Sequence, residues 1–128
     1  MPYLLDTSVA IELRDNNDLV RSRVGALDEV PSLSIMTRIE LEGGVWRDPT
    51  IGIDRERRLD TLLDAFKILP FDEDEAAAYR EIIKAVGFSR RKIVDRMIAS
   101  QALVVGAILV TLNPDDFKDI PGLQVLAW

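Results

Sequence analysis

Four acidic positions along the chain have the residue types that hold a divalent metal ion. Asp6 follows a short apolar run, Glu40 stands in "TRIELEGG", Asp95 stands in "IVDRMIAS", and two aspartates close "LVTLNPDD". The chain has no histidine and no cysteine, which excludes serine–histidine and cysteine–histidine nucleophiles, imidazole acid–base catalysis and zinc sites made of those residues. Carboxylates with water are the ligands that Mg²⁺ and Mn²⁺ prefer, so these acids indicate metal-assisted chemistry.

The first two acidic positions also match motifs that begin helices. Asp6, Thr7 or Ser8 could each cap the helix predicted directly after them, because their side-chain oxygens accept hydrogen bonds from free backbone amides. Thr37 and Glu40 have the spacing of a capping box, in which two side chains satisfy backbone amides at a helix start. At both positions, capping and metal binding stay open as alternatives.

The third acid, Asp95, lies on a predicted helix face made of small and apolar residues. On that helix it shares a face with Ile98, Ala99 and Ala102. A carboxylate buried there without a partner would cost several kcal/mol or become neutral. An aspartate favoured by the helix dipole is the structural alternative, but the small neighbours favour a site because they leave room for an ion and its waters.

The fourth acidic segment also has a structural interpretation. Asn113 followed by Pro114 is typical of a helix start, and Asp115 and Asp116 would then be first-turn acids that suit the helix dipole. All four acids together do not fit such local explanations, because two carboxylates about 4 Å apart repel by roughly 4 kcal/mol at an effective dielectric constant near 20. A cluster of them needs a cation or a shared proton.

Short apolar runs alternate with helical patterns along the chain. Strands are predicted over 3–5, 33–35, 68–69, 107–111 and 123–126, and helices over 9–13, 20–27, 39–46, 59–66, 76–86 and 93–105. This alternation predicts an α/β fold with a mostly parallel sheet. Since ligands bind at the carboxyl ends of such strands, Asp6 and the acids after Thr111 should meet at one edge. We expect Asp72 and Glu75 to form a capping box only, and Gly87 to end its helix.

The bulk properties fit one globular domain over residues 1–128. Hydrophobic residues make up 48% of the chain, and the net charge is −6. That charge disfavours a protein that coats nucleic acid, but it is compatible with an enzyme whose acids hold cations. No apolar run is long enough to span a membrane, Pro2 and Asp6 interrupt any signal-like N-terminus, and the absence of cysteine suits the cytoplasm.

Four segments in order, "YLLDTSV", "TRIELEGG", "IVDRMIAS" and "LVTLNPDDF", resemble the PIN-domain ribonucleases, most closely the VapC-type toxins of toxin–antitoxin pairs. The closing "DIPGLQVLAW" is also similar, so the resemblance covers essentially the whole chain. It implies a PIN-like three-layer α/β fold, with a mostly parallel central sheet flanked by helices. It also implies an endoribonuclease that hydrolyses RNA phosphodiester bonds with Mg²⁺ or Mn²⁺, a cognate antitoxin protein as partner, and a homodimer.

The resemblance also assigns roles to residues. By position in the motifs, the catalytic and metal-binding acids would be Asp6, Glu40, Asp95 and Asp116, with Asp116 selected over Asp115. Glu40 would either ligate the metal or orient water. The supporting polar residues would be Thr7, Ser8, Thr111 and Asn113.

A basic run surrounds the third acid. "SRRKIVDR" places Arg90, Arg91, Lys92 and Arg96 close to Asp95 in sequence. Most such runs form a solvated charged face. Beside an acid on an otherwise apolar helix face, a run that binds RNA phosphates is an equally good interpretation.

Two other functions are compatible with parts of the sequence. A phosphoaspartyl phosphatase also begins with a strand and an aspartate, but it usually has a second aspartate two residues later, where this chain has Ser8. A PIN fold that binds without cleaving is the other alternative. The complete acidic set disfavours this inactive module. A metal-dependent cleavage assay distinguishes it from a ribonuclease.

Overall fold

The computed structural model describes residues 1–128 and shows five strands and six helices. The strands are β1 (Tyr3–Leu5), β2 (Ser32–Ser34), β3 (Lys67–Leu69), β4 (Ile108–Thr111) and β5 (Val125–Ala127). The helices are α1 (Thr7–Arg14), α2 (Asp18–Gly25), α3 (Ile35–Val45), α4 (Gly52–Ala65), α5 (Glu73–Val86) and α6 (Ile93–Val105). Short 3₁₀ turns lie at Pro49–Ile51, Arg90–Lys92 and Pro114–Asp116.

All five strands are parallel and form one sheet in the order β3-β2-β1-β4-β5. Leu5 of β1 is aligned with Leu33 on one side and with Val110 on the other. The chain first adds strands on one side of β1 and then returns to add β4 on the other, so the topology switches between β1 and β4. In open parallel sheets, this is the place where a ligand site forms, at the carboxyl ends of the strands.

The sheet separates two hydrophobic cores. Successive residues of a strand point to opposite faces. Leu4 therefore packs in one core with residues of α5 and α6 such as Ile98, and Leu5 packs in the other with residues of α1, α3 and α4 such as Leu59. The predicted three-layer fold is confirmed. No helix is both long and apolar enough to cross a lipid bilayer.

Several predicted elements match the structure closely. The strand at 3–5 and the helix at 93–105 have the predicted bounds. The predicted capping box at the start of α5 is present, and the backbone amide of Asp72 donates to Glu75 Oε2 at 3.4 Å. Gly87 ends α5 with a φ of +83°, a conformation that side chains disfavour.

The start of α3 differs from the prediction. The helix begins at Ile35, because the Ser34 side chain accepts a hydrogen bond from the Met36 amide at 2.9 Å and the Ser34 backbone is extended. The capping-box alternative for Thr37 and Glu40 is therefore excluded, since both residues lie inside the helix. Ser34, three residues before Thr37, already supplies the side-chain acceptor at the start of α3.

Candidate active site

Asp6 lies directly after β1, at the switch between β1 and β4. Its backbone amide donates to the Val110 carbonyl at 2.8 Å, which continues the pairing of the two strands. The residue is only 5% exposed. Its Oδ2 accepts hydrogen bonds from Ser8 Oγ at 2.9 Å and from Thr111 Oγ1 at 2.8 Å. Asp6 occupies the N-cap position of α1, but its side chain makes no capping hydrogen bond, so the capping interpretation is wrong.

The two hydroxyls that hold Asp6 also connect it to the segment after β4. Ser8 Oγ accepts from the Leu112 amide at 3.1 Å, and Thr111 Oγ1 accepts from the Asn113 amide at 2.9 Å. Each hydroxyl donates its one proton to the carboxylate and accepts from a backbone amide, so each joins Asp6 to the segment after β4. Asn113 contributes its backbone amide, while its side chain is exposed and does not cap the following turn.

Glu40 is held by the first residue of α1. Thr7 Oγ1 donates to Glu40 Oε1 at 2.8 Å and lies 2.9 Å from Thr37 Oγ1. Because the single hydroxyl proton of Thr7 goes to Glu40, Thr37 must donate to Thr7. Thr37 and Glu40 thus share a helix face and one partner. The three-residue spacing of Thr37 and Glu40 in the sequence already indicated a shared helix face, although a capping box was the first interpretation of that spacing.

Asp95 is the electrostatic centre of the acidic residues. It lies in the first turn of α6 and is partly buried. Burial, and after it the charges of Asp6, Asp116 and Glu40, together raise its pKa to about 6, against a lowering by Lys92. Three carboxylates from three other elements therefore lie close enough to Asp95 to change its protonation.

Asp116 and Asp115 both lie in the 3₁₀ turn after β4 and are both exposed. Only Asp116 is among the charges that raise the pKa of Asp95. The two neighbouring carboxylates therefore differ in their effect on Asp95, and the choice of Asp116 over Asp115 as a metal ligand stays a prediction.

The donor set suits a hard divalent cation, because every candidate ligand is an oxygen. No three acidic side chains lie close enough together to enclose an ion as they stand. Carboxylates repel one another when no cation neutralises them. Mg²⁺ keeps several of its waters and needs only one or two carboxylates directly. The charges of Asp6, Asp116 and Glu40 all act on Asp95, so the chemistry of this oxygen donor set fits such an ion.

The basic residues separate into two groups. Arg90 and Arg91 are exposed, and Lys92 is partly buried with its Nζ 3.8 Å from Asp119 Oδ2. Arg96 is only 3% exposed, and its guanidinium donates inward. The prediction that Arg96 contacts RNA is wrong, because a buried guanidinium with internal partners cannot reach a phosphate outside.

Comparisons with known proteins give the family and the fold of this chain. The family model described as "PIN domain" matches residues 3–123. Ribonuclease VapC1 of Rickettsia felis is 44% identical over 63 residues, 48% of this chain and 47% of that protein. Ribonuclease VapC of Rickettsia bellii is 35% identical over 88 residues, 59% of this chain and 66% of that protein. The matched part of the chain thus spans about half of the first relative and just under two thirds of the second.

The fold also matches a solved complex. The structure of VapBC2 from Rickettsia felis bound to a DNA fragment from their promoter superposes with a TM-score of 0.87. The match has 26% sequence identity and covers 100% of this chain and 99% of the other. The family model covers nearly the whole sequence, including all four acidic positions, and the chain belongs to the PIN domain family.

Proposed function

We propose that this protein is a divalent-metal-dependent endoribonuclease and the toxin of a toxin–antitoxin pair. The observation that carries the proposal is the position of Asp6 at the switch point of the sheet, where Ser8 and Thr111 hold its carboxylate in a chain that the PIN domain model matches over residues 3–123. Ribonucleases of the PIN family are generally dependent on divalent metals, and the matched relatives bear the name ribonuclease. Because its substrate would be cellular RNA, we propose that it acts in the cytoplasm.

Asp6, Asp95 and Asp116 would hold the cation, which we propose to be Mg²⁺ or Mn²⁺. When bound, such an ion stabilises negative charge on phosphate oxygens and lowers the pKa of a bound water. The chain supplies positioning. Asp6 cannot rotate away from the site while two hydroxyls hold its Oδ2. Glu40, fixed by Thr7, would orient the attacking water by accepting a hydrogen bond from it.

RNA needs positive charge near this negative cluster. Arg90 and Arg91 are exposed on the turn before α6, and Lys92 is near enough to lower the pKa of Asp95. We propose that these three residues bind backbone phosphates. Replacing all three by alanine should weaken RNA binding across sequences and lower the slope of log affinity against log salt by about 0.7 for each phosphate that is no longer bound. An unchanged slope would assign them to a solvated surface instead.

The partner follows from the solved relatives. Several structures that match this fold are complexes of the toxin–antitoxin type, among them VapBC-1 of nontypeable Haemophilus influenzae. We propose that a cognate antitoxin binds this chain and that the chain forms a homodimer. Co-expression with the neighbouring gene product, followed by sizing of the purified complex, tests both statements.

The central experiment is cleavage of mixed cellular RNA by the purified protein, with Mg²⁺ or with EDTA, followed by mapping of the cut ends. We expect cuts only with the metal, and none from Asp95→Asn. Asp115→Asn is the matched control, because Asp115 is an exposed neighbour of Asp116 that does not act on Asp95. Binding without cleavage would support the inactive PIN module, and cleavage that persists in EDTA would refute the metal dependence.

A further inference from the structure

Arg96 is a buried charge directly beside the proposed active site. It follows Asp95 in the first turns of α6, and successive helix residues are rotated by roughly 100°. The Arg96 side chain is therefore directed away from the acidic cluster and into the protein, where only 3% of the residue is exposed. A buried guanidinium is tolerated when other groups pair with it.

The first partner of Arg96 is the end of α5. Its Nη1 donates to the Gly87 carbonyl at 2.7 Å, a short hydrogen bond assisted by the charge of the guanidinium. Gly87 begins the segment that carries Arg90 and Arg91 and leads into α6. The bond fixes the start of that segment to the helix that carries Asp95.

The second partner is Asp119, three residues after Asp116. Arg96 Nη2 lies 3.5 Å from Asp119 Oδ2, and the same oxygen lies 3.8 Å from Lys92 Nζ. One carboxylate thus joins α6, the last residue of the basic run and the segment that follows the fourth acidic motif.

We propose that Arg96 is a positioning residue that holds the turn of Arg90 and Arg91 against α6. Through Asp119 it also holds the segment after Asp116. The phosphate-binding charges and the carboxylates then keep a fixed relation to each other. This inference rests on the proposed ribonuclease function and assigns to Arg96 a role distinct from direct RNA contact.

The incompleteness of the pairing favours positioning over simple stabilisation. Arg96 Nε has no hydrogen-bond partner, and Asp119 is 36% exposed. Buried ion pairs are weak evidence for stability, because an apolar side chain of similar volume often serves as well. An apolar side chain could fill the space of Arg96, but it could not fix the Gly87 carbonyl and Asp119 at the same time.

The chain offers a matched control on the same helix. Gln101 is 1% exposed, its Nε2 donates to the carbonyls of Leu69 and Pro70 at 3.0 and 2.9 Å, and its Oε1 has no partner. Like Arg96 it ties backbone carbonyls to α6, but those carbonyls belong to the end of β3 and the residue that follows it. Arg96→Met and Gln101→Met should therefore both remove buried hydrogen bonds, and only Arg96→Met should affect the basic turn.

Two measurements compare these variants with the wild type. Amide hydrogen exchange of residues 88–92 should be about tenfold faster in Arg96→Met, because the turn opens locally, and unchanged in Gln101→Met. RNA binding is measured across a salt series in an Asp95→Asn background. There, Arg96→Met should lower the slope of log affinity against log salt by about 0.7 or more. In the active enzyme, KM should rise more than kcat falls. Arg96→Lys keeps the charge and the stem, so it should fold like the wild type and recover part of both effects.

The outcomes separate this inference from the proposed function. Unchanged exchange in both Arg96 variants would overturn the holding of the turn, even in an active ribonuclease. Faster exchange with unchanged KM and salt slope would make Arg96 purely structural and also overturn the positioning role. If the wild type does not cleave RNA with metal, the proposed function fails, and the role of Arg96 in positioning residues for cleavage fails with it. The exchange data would still show whether the hydrogen bond from Arg96 to Gly87 holds the turn.

Discussion

Replacing Asp95 by asparagine should stabilise the metal-free protein at neutral pH while abolishing RNA cleavage. Burial and the charges of Asp6, Asp116 and Glu40 raise the pKa of Asp95 from 3.8 to about 6. A carboxyl group whose pKa is higher in the folded state than in the unfolded state lowers the free energy of unfolding when it ionises. In the wild type this loss begins near pH 3.8 and is complete above about pH 6. Asparagine keeps the shape and never ionises.

The expected gain is about 1 kcal/mol. The rise of the Asp95 pKa from 3.8 to about 6 corresponds to about 3 kcal/mol. Because Asp95 is only partly buried, solvent screening reduces this to about 1–2 kcal/mol. The first-turn position of Asp95 opposes the gain, since the helix dipole favours a carboxylate there by at most about 1 kcal/mol. Repulsion and desolvation therefore exceed the dipole effect. For a chain of this size, the midpoint of thermal unfolding should rise by about 3–5 °C.

The assay is denaturant unfolding of wild type, Asp95→Asn and Asp115→Asn in EDTA at pH 4 and pH 7.5. At pH 4 the wild type and Asp95→Asn should be nearly equal in stability, because Asp95 is protonated. At pH 7.5 Asp95→Asn should be the more stable. Saturating Mg²⁺ should reverse the order, since a cation at a hundredfold excess over its dissociation constant adds about 2.7 kcal/mol to a protein that binds it.

Asp115→Asn removes a carboxylate of the same segment and should follow the wild type in every condition. The reasoning is refuted if Asp95→Asn loses stability in EDTA at pH 7.5 while its folded fraction still cuts RNA. Asp95 would then be a structural residue, and the acidic cluster would not be the catalytic site.

Three further variants test the contacts around the site. Thr7→Val should lower the rate of RNA cleavage about tenfold and the free energy of unfolding by about 1 kcal/mol, because Glu40 loses its hydroxyl donor. Thr7→Ser should restore both quantities, and failure to do so would exclude the hydroxyl as the cause. Thr111→Val should cost about 1–3 kcal/mol in denaturant unfolding, because it removes one of the two hydroxyls that hold Asp6 and leaves the Asn113 amide without its partner. A smaller loss would mean that water replaces the hydroxyl. Ser34→Ala should lower the free energy of unfolding by about 1 kcal/mol, because α3 loses its cap, and should leave RNA cleavage unchanged. Altered cleavage would show that the cap positions Glu40.

The sequence predicted those elements whose signals are local. The pattern of 93–105 matches α6 residue for residue, and the capping box and Gly87 bound α5 as expected. The carboxyl ends of two strands also predicted that Asp6 and the acids after Thr111 would lie at one edge of the sheet. For α5 and α6 the signals that define the helix lie within a single segment, which is why the sequence predicts them.

The errors arise where the partner of a side chain lies far away in the chain. Glu40 was compatible with a local capping box, and only its hydrogen bond with Thr7, 33 residues earlier, shows what holds it. Arg96 looked like part of an exposed basic run, yet its guanidinium pairs with Asp119, 23 residues later. Nothing in the periodicity of α6 marks that pairing, because a buried arginine and an exposed one have the same sequence pattern.

The hydrogen bond between Thr111 and Asp6 joins residues 105 positions apart, and β1 lies in the middle of the sheet between two strands made later. A ribosome must therefore synthesise almost the whole chain before the first aspartate acquires its support. Pairings of such high sequence separation form late and slowly in folding. During translation the nascent polypeptide already carries Asp6 and Glu40 without an assembled site, so the proposed ribonuclease would stay inactive until its synthesis is nearly complete. Its apolar first strand meanwhile stays unpaired on the β4 side, which makes it a natural client for chaperones.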